Sequence, residues 1–398
     1  MKLWQRFAVA LTTSLVLYGG QLRMWTDPRN RFLEHWERSD GASLLIGIVL
    51  VAILFTVIRE ALARHPFGRR SSAHGFVLLF AGGVISGSTA LHHAGIALLA
   101  MGIVLVLVNV GLSLPQARAR DATWWAVVVA LLCLASTLVL GVVLVHNLHT
   151  GFLQERRVRT LAVHLHVALV GWALVMIVGM SHRLLPMFLL AHGADTRWTR
   201  RALVLLPAGL VTLAVGLVAG RVAATWAGVA LLEAGVLCFL LQCRAFHAAR
   251  RRPTLDVGLR FAATALGFLL ASAALGPAVL AVGGLRHPRL ATTYVLVGLL
   301  GGLLLHVVGH FYKIVPFLAW IARYRGRVGR ERVPTVADLF SARVAHAQLG
   351  LMSVAVAGMA GGVLAGSAAL VRVAALLFAV GVALFVSQIL RVARGGHA

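Results

Sequence analysis

Long apolar stretches separated by short polar connections dominate the 398-residue chain. A helix of about 20 apolar residues is long enough to cross the hydrocarbon core of a bilayer. Twelve stretches approach that length, so the pattern predicts an all-α, polytopic membrane helix bundle of about twelve transmembrane helices. The predicted spans are 3–20, 42–58, 75–90, 91–111, 122–146, 161–183, 202–220, 222–243, 258–283, 290–320, 342–366 and 368–390.

The polar connections are short, and the longest are 21–41, 244–257 and 323–341. Residues 1–398 are therefore expected to form one integral membrane helical domain with no soluble domain. The first stretch begins with basic residues and also fits a secretory signal peptide. No small-residue cleavage site follows Gly20, so we interpret this stretch as a retained helix.

Composition supports the membrane class, with 60% hydrophobic and 12% charged residues. The net charge of +25 would suggest nucleic acid as a partner, but the basic residues are distributed unevenly between alternate loops. The loops of one side and both termini carry 25 of the 37 Lys and Arg residues, and the opposite loops carry ten. By the positive-inside rule, the chain is expected in the bacterial inner membrane with both termini cytoplasmic, and no nucleic acid is expected as a partner.

One internal repeat is visible in the sequence. The stretch VGMSHRLLPMF (178–188) aligns with VGHFYKIVPFL (308–318), and Gly171 aligns with Gly301 at the same 130-residue offset. The two predicted spans that contain these stretches are therefore expected to be related in structure.

Each copy of the repeat has a basic residue followed by a proline: Arg183 with Pro186, and Lys313 with Pro316. The basic side chains either anchor their helices at the cytoplasmic interface or bind an anionic group. The prolines are expected to mark helix ends or kinks.

A stripe of small residues lies in span 342–366, where Gly358, Gly362 and Gly366 recur every fourth position. Such a stripe allows a neighbouring helix to approach closely. We therefore expect helix packing there.

The chain has seventeen histidines and only twelve acidic residues. Ionisable side chains within a membrane usually mark ligand, proton or cofactor sites. Imidazole is a common ligand of haem iron and copper, and the lack of nearby thiols and carboxylates disfavours magnesium, calcium and iron–sulfur clusters. Six histidines are expected to converge near the outer membrane face and to bind haem or copper, the alternative being that they only support helix packing. They are His92, His93, His146, His149, His164 and His166.

His164 and His166 would point about 160° apart on a regular helix, so they are expected to serve different partners. Arg156, Arg157 and Arg159 precede them in the outer loop. Guanidinium groups pair well with carboxylates, so these arginines are expected either to bind haem propionates or to form a solvated loop.

His306 and His310 lie four residues apart and share a helix face. At the helical rise they are too deep to share a metal ion with His164, so they are expected to form a second metal site, with His182 nearby.

Glu233 is the only acidic residue within span 222–243. A membrane carboxylate is expected to be paired or functional. We interpret it either as a proton-relay group or as the ion-pair partner of Arg372 or Lys313.

The stretch HLHVALVG followed by VGMSHRLLP resembles the H-x-H-x-x-x-x-G helix opening of the NnrS family of haem- and copper-containing membrane proteins. It also resembles, more distantly, subunit I of the haem-copper oxidases. The matching positions are His164, His166, Gly171, Gly179 and Pro186. The resemblance implies a bundle built of four-helix arcs that binds haem, b-type, and also copper.

Some features depart from these families. Val167 follows the second histidine, where NnrS-like chains have an acidic residue, and span 42–58 contains no histidine. The oxidase pattern of histidine pairs is missing as well. Oxygen reduction by the oxidase mechanism is therefore not expected.

Taken with the resemblance, these features predict a haem-binding, also copper-binding, membrane protein that handles NO or O2 or relays electrons. A cytochrome or other electron-donor subunit would then be a partner, and any enzyme activity would be that of a membrane oxidoreductase. The alternative function is a histidine-rich transporter or metal-handling permease, and a third is a membrane scaffold without chemistry.

Overall fold

The computed structural model describes residues 89–191, 193–284 and 287–394, and every regular element in these ranges is a helix. The predicted spans 3–20 and 42–58, nearly all of 75–90, and the signal-peptide alternative lie outside the described residues. The helices are α1 (Thr89–Ser113), α2 (Ala122–Thr150), α3 (Arg156–His166), α4 (Val175–Leu189), α5 (Arg197–Ala219), α6 (Val222–Ala248), α7 (Val257–Ala281), α8 (Pro288–Leu296), α9 (Leu305–Tyr324), α10 (Ala342–Ala365) and α11 (Ala368–Arg394).

Nine helices among the described residues are long and apolar enough to cross a membrane, and they coincide with the nine predicted spans from 91–111 onward. The chain is therefore a multi-pass membrane protein. Two of the helices are unusually long: Arg156–Leu189 has 34 residues and Pro288–Arg327 has 40. At about 1.5 Å per residue, each exceeds the roughly 30 Å hydrocarbon thickness of a bilayer.

Both long helices contain a π-helical stretch near their middle. The first π-segment is Val167–Leu174, between α3 and α4, and the second π-segment is Val297–Leu304, between α8 and α9. The two segments are 130 positions apart, which is the offset seen in the sequence repeat. The predicted relation between these two helices is therefore confirmed.

The repeat extends beyond the two long helices. The buried positions of α5 and α6 recur in α10 and α11 at an offset of 146, as in the buried pairs Leu206 and Met352, and Gln242 and Gln388. We name α2 to α6 the first repeat and α7 to α11 the second repeat. Each repeat is one single-span helix, one long helix with a π-segment, and a helical pair.

The described part of the chain divides into two compact units. The first unit contains the described residues from 99 to 255 and from 266 to 287, and the second contains 89–98, 256–265 and 288–394. Close helix approach in the first unit depends on glycines. A Cβ at Gly216 of α5 would lie 2.5 Å from the Thr225 backbone nitrogen, and one at Gly209 would lie 2.8 Å from that of Leu232.

The predicted glycine stripe of span 342–366 packs as expected at two of its three positions. A Cβ at Gly362 would lie 2.7 Å from a Val371 methyl group, and one at Gly358 would lie 3.1 Å from the Ala374 Cβ. Gly366 instead ends α10 in the left-handed conformation, with φ +68°. Glycine is favoured there because it has no Cβ to clash.

We predict that Gly179→Ala and Gly309→Ala each lower the free energy of unfolding by about 1–3 kcal/mol. A Cβ at Gly179 would overlap the Ala126 Cβ, and one at Gly309 would lie 2.5 Å from the Gly258 carbonyl oxygen. Unfolding in mixed detergent micelles measures the change.

Gly350→Ala is the matched control, because no atom lies within 4 Å of a Cβ at this helical position. It is expected to leave stability unchanged or to raise it through better helix propensity. Equal effects of all three substitutions would contradict the close packing.

Candidate functional site

Five of the six outer histidines have described side chains, and these differ in exposure. His146 and His149 are exposed near the end of α2, and His93 is exposed on α1, whereas the His92 side chain lies outside the described residues. In the described ranges, no three His, Cys, Asp or Glu side chains are grouped closely enough to hold a metal ion. His164 and His166 differ from the others in being partly buried.

His164 reaches from the end of α3 to the backbone of α2. Its Cε1 lies 3.4 Å from where a Cβ at Gly141 would stand. Its Nδ1 is buried and has no hydrogen-bond partner among the described residues. Since an unpartnered buried nitrogen is costly, this atom marks a place where a ligand, cofactor or water would be stabilised.

The His166 ring is hydrogen-bonded within its own helix. Its Nδ1 is 2.8 Å from the Ala162 carbonyl oxygen. A carbonyl can only accept, so Nδ1 carries the proton and Nε2 is the acceptor nitrogen of the ring. Metal-binding histidines usually show this arrangement, with one nitrogen fixed by a hydrogen bond and the other facing the metal. That the two histidines serve different partners stays a prediction.

The first π-segment begins directly after His166. Within it, a Cβ at Gly171 would lie 2.6 Å from the Cys133 sulfur and 2.7 Å from a Leu210 methyl group, so this part of the helix is closely packed on α2 and α5. π-helical turns are rare and often occur at functional sites.

The three arginines lie in the first turn of α3, not in a loop as predicted, because the helix begins at Arg156 rather than at 161. Arg156 and Arg159 are exposed and Arg157 is half-buried. Their position near the helix start leaves them on the predicted outer side of His164 and His166.

Arg159 has a structural contact that its counterpart in the second repeat shares. Its guanidinium lies 3.2 Å from a Cβ built at Gly220, the residue that ends α5. Arg289, 130 positions later, lies 2.7 Å from a Cβ built at Gly366, which ends α10. A cation at the carboxyl end of a helix is stabilised by the helix dipole. Arg156 and Arg157 are therefore the better candidates for binding a cofactor carboxylate.

His306 and His310 form a stacked pair on α9, with ring centroids 4.5 Å apart. His306 is buried, and the Nδ1 of His310 is 2.9 Å from the His306 carbonyl oxygen. One turn further along, the Lys313 ammonium lies 2.5 Å from an Asp256 carboxylate oxygen. The second repeat thus carries a row of ionisable side chains along one helix, and its role as a metal site stays a prediction.

His182 lies on α4 beside Asp121 and Arg183, and its Nδ1 is buried without a hydrogen-bond partner. In the second repeat Tyr312 occupies this position, and its hydroxyl donates to the Gln348 side chain at 2.6 Å. The first repeat has Ala202 where the second has this glutamine, which explains why His182 lacks the equivalent partner.

Glu233 is half-buried on α6 and forms no ion pair with the described residues. Lys313 binds Asp256, and the pairing of Glu233 with Lys313 or Arg372 stays a prediction. Arg372 is exposed on α11. The proton-relay role of Glu233 stays a prediction.

Sequence reasoning missed the two aspartates that bind the basic residues of the repeat. Asp121 accepts from Arg183 and from the Trp124 N–H, and Asp256 binds Lys313 and accepts from the Leu259 N–H. Each aspartate directly precedes an apolar span, which is the sequence signal of a helix N-cap. Arg183 and Lys313 therefore tie the carboxyl half of each long helix to the start of another helix.

The chain matches no protein-family model, and no curated protein is similar enough to match it.

We predict that acid weakens the Arg183–Asp121 contact. Partial burial raises the pKa of Asp121, but hydrogen bonds from Arg183 and Trp124 and the nearby positive charge outweigh it and hold this pKa below its ordinary value of 3.8. A depressed carboxyl pKa adds stability above the ordinary pKa, and this stability is lost as the pH falls through the lowered pKa. The loss should be at most about 1 kcal/mol, because Arg183 is 61% exposed.

Unfolding measured between pH 7 and about pH 3 for the wild type and Asp121→Asn checks this. The difference in stability between the two proteins should shrink toward acid pH. A difference that stays constant across this range would contradict the role of Asp121.

Proposed function

We propose that this chain is a haem-binding membrane protein of the haem-copper-oxidase and NnrS type, which handles NO, O2 or electrons. The observation that carries the proposal is the His166 ring, whose Nδ1 is fixed by the Ala162 carbonyl directly before the first π-segment. A haem iron would be bound by the other ring nitrogen, Nε2. A b-type haem, when bound, supplies an iron that takes up a diatomic gas or exchanges one electron.

The donor set of the first repeat fits haem better than a metal held by protein alone. Haem iron needs only one or two axial ligands, whereas copper or zinc needs three or four protein ligands. His166 meets the first need, and the buried, unpartnered Nδ1 of His164 is a second nitrogen at the same helix end. If copper is also bound, some of its protein ligands would have to come from residues outside the described ranges.

The architecture supports the family part of the proposal. The described helices after α1 give the same order of elements twice, with four spans each time, and the resemblance implies four-helix arcs. Three predicted spans lie before α1, so α1 and those spans would supply a third set of four.

We predict that His166→Ala lowers the Soret absorbance per mole of purified protein by about tenfold or more, because it removes the axial nitrogen. The protein is expressed with haem supplied and purified in mild detergent. The absorbance ratio of the Soret band to the protein band is the measurement.

His346→Ala is the matched control. The His346 Nδ1 has the same bond to the carbonyl four residues earlier, at 2.7 Å from the Ala342 oxygen, but the residue is exposed. This variant should keep the wild-type spectrum. A wild-type protein without a Soret band, or a full band in His166→Ala, would overturn the proposal.

A second function, a histidine-rich transporter or metal-handling permease that moves protons, is favoured by the row in the second repeat. His306, His310 and Lys313 follow one another along the first half of α9, in the direction of the end predicted to be cytoplasmic, and Asp256 binds Lys313. In such a transporter, Lys313 would pass a proton to His310 and recover one from water through the Asp256 carboxyl.

We predict for this second function that Lys313→Arg slows proton exchange at His306 and His310 by an order of magnitude or more, because guanidinium does not deprotonate in proteins. The first repeat has Arg183 at this position, bound to an aspartate, so the substitution should preserve the fold. Hydrogen–deuterium exchange of ¹⁵N-labelled imidazoles, followed by solid-state NMR in vesicles, measures it.

His166 is the internal control in the same spectra, because its Nδ1 has the same kind of bond but no lysine follows it. Its exchange rate should be unchanged in Lys313→Arg. Unchanged exchange at His306 and His310 would exclude proton transfer along this row and leave the haem proposal unaffected.

A further inference from the structure

One end of the α5–α6 pair carries a dense group of arginines. Arg197, Arg200 and Arg201 lie in the first two turns of α5, and Arg244 lies near the end of α6, with three more arginines at 250–252. Asp195 is the only acidic residue in residues 195–201 and 242–252. These stretches thus carry seven arginines and one acidic residue.

Buried Gln242 holds the start of α5 and the end of α6 at the same level. Its Oε1 accepts from the Thr199 N–H at 2.9 Å, and its Nε2 donates to the Asp195 carbonyl at 2.7 Å. The arginines of the two helices therefore lie at one depth. By the charge bias of the loops, this depth is the cytoplasmic headgroup region.

Two of the guanidinium groups form cation–π contacts with the Trp198 side chain. Arg197 and Arg201 lie over the Trp198 ring, with Cζ 5.2 and 4.7 Å from its centroid. Arg197 also pairs with Asp195 at 3.2 Å. Stacking reduces the side-chain entropy lost when Arg201 binds an anion, and tryptophan is common at the membrane interface.

Toward the membrane interior from the arginines, both helices have exposed aliphatic side chains. On α5, Val204, Val211 and Val215 are 68%, 64% and 56% exposed, at helical spacing from Arg200. On α6, Leu237 is 54% exposed and lies two turns before Arg244. The same helix faces thus offer cations at headgroup depth and apolar surface at acyl-chain depth.

The repeat indicates that the fold itself does not require this charge. At the offset of 146 that relates the buried positions, Arg200 corresponds to His346, Arg201 to Ala347 and Arg244 to Leu390. The second repeat keeps the buried glutamine, Gln388, and has Arg343 at the position of Arg197, but it has no arginine at the positions of Arg200, Arg201 and Arg244.

We propose that the α5–α6 end is a binding site for an anionic phospholipid of the cytoplasmic leaflet. The lipid phosphate is bound by Arg200, Arg201 and Arg244, because guanidinium groups bind phosphate through paired hydrogen bonds. The acyl chains lie along the valines of α5 and Leu237. A free phosphate would use only the cationic part of this surface, and the apolar part favours a lipid.

The test is native mass spectrometry of the full chain in detergent, titrated with palmitoyl-oleoyl phosphatidylglycerol or with phosphatidylcholine of the same chains. The wild type should bind phosphatidylglycerol first and more tightly. The double variant Arg200→Gln/Arg201→Gln should weaken this binding about thirtyfold, and Arg244→Gln about fivefold, since each basic residue near an anionic lipid adds comparable attraction.

The matched control is Arg221→Gln/Arg372→Gln, which removes the same charge from exposed positions near the opposite turn of each helical pair. This variant should bind phosphatidylglycerol within about twofold of the wild type. An equal loss in both double variants would show general electrostatics and overturn the site.

Inorganic phosphate is added as a competitor to separate the two sources of the anion. It should not displace phosphatidylglycerol, and full displacement would overturn the lipid assignment. If Arg200→Gln/Arg201→Gln does not fold, Arg244→Gln alone decides: unchanged affinity there, or equal binding of the two lipids by the wild type, overturns the proposal.

Discussion

The constraint on which this structure depends is that a polar group inside a bilayer must have a partner, because no water is present to supply one. A few kinds of hydrogen bond and ion pair recur in this chain and supply such partners. Histidines within the spans bond to the carbonyl four residues earlier, as His166 and His310 do. The basic residues at the ends of the long helices bind an N-cap aspartate, and buried Gln242 bonds to the backbone. The unpartnered His164 and His182 nitrogens are therefore exceptions that need a reason.

Close helix packing is the second requirement, and it explains where glycine occurs. Association of helices in lipid gains little from the hydrophobic effect, so it depends on van der Waals contact between backbones. Gly209 and Gly216 allow α5 to approach α6, and Gly179 and Gly309 do so for the two long helices. In the first repeat the π-segment lies between His166 and Gly179, and in the second repeat Gly309 lies between His306 and His310, so histidines adjoin tightly packed backbone in both.

The apolar pattern alone located the nine described spans, because the length of an apolar run is dictated by bilayer thickness. It could not locate helix ends beyond the membrane, since Arg156 and Arg157 look like loop residues in a hydropathy pattern. The sequence showed the repeat only at the long helices, where the two copies are 130 positions apart. The connection from α9 to α10 is longer than that from α4 to α5, so the helical pairs are 146 positions apart and do not align at the same offset. The burial faces of α5 and α10 could not be deduced either, because apolar residues occur on every side of these helices. The Asp121 and Asp256 caps were deducible from their position before apolar runs.

Comparing equivalent positions of the two repeats distinguishes residues that the fold requires from residues that are specific to one repeat. Positions shared by the two repeats form the scaffold: the π-segments, Gly179 and Gly309, the prolines, the aspartate–cation pairs and the buried glutamines. At other equivalent positions the repeats differ in chemistry. His164 and His166 correspond to Tyr294 and Leu296, and His306 and His310 correspond to Met176 and Met180. Since each repeat folds with an apolar or aromatic residue where the other has histidine, packing alone does not account for the imidazoles. Each pair is therefore best explained by a task specific to its own repeat.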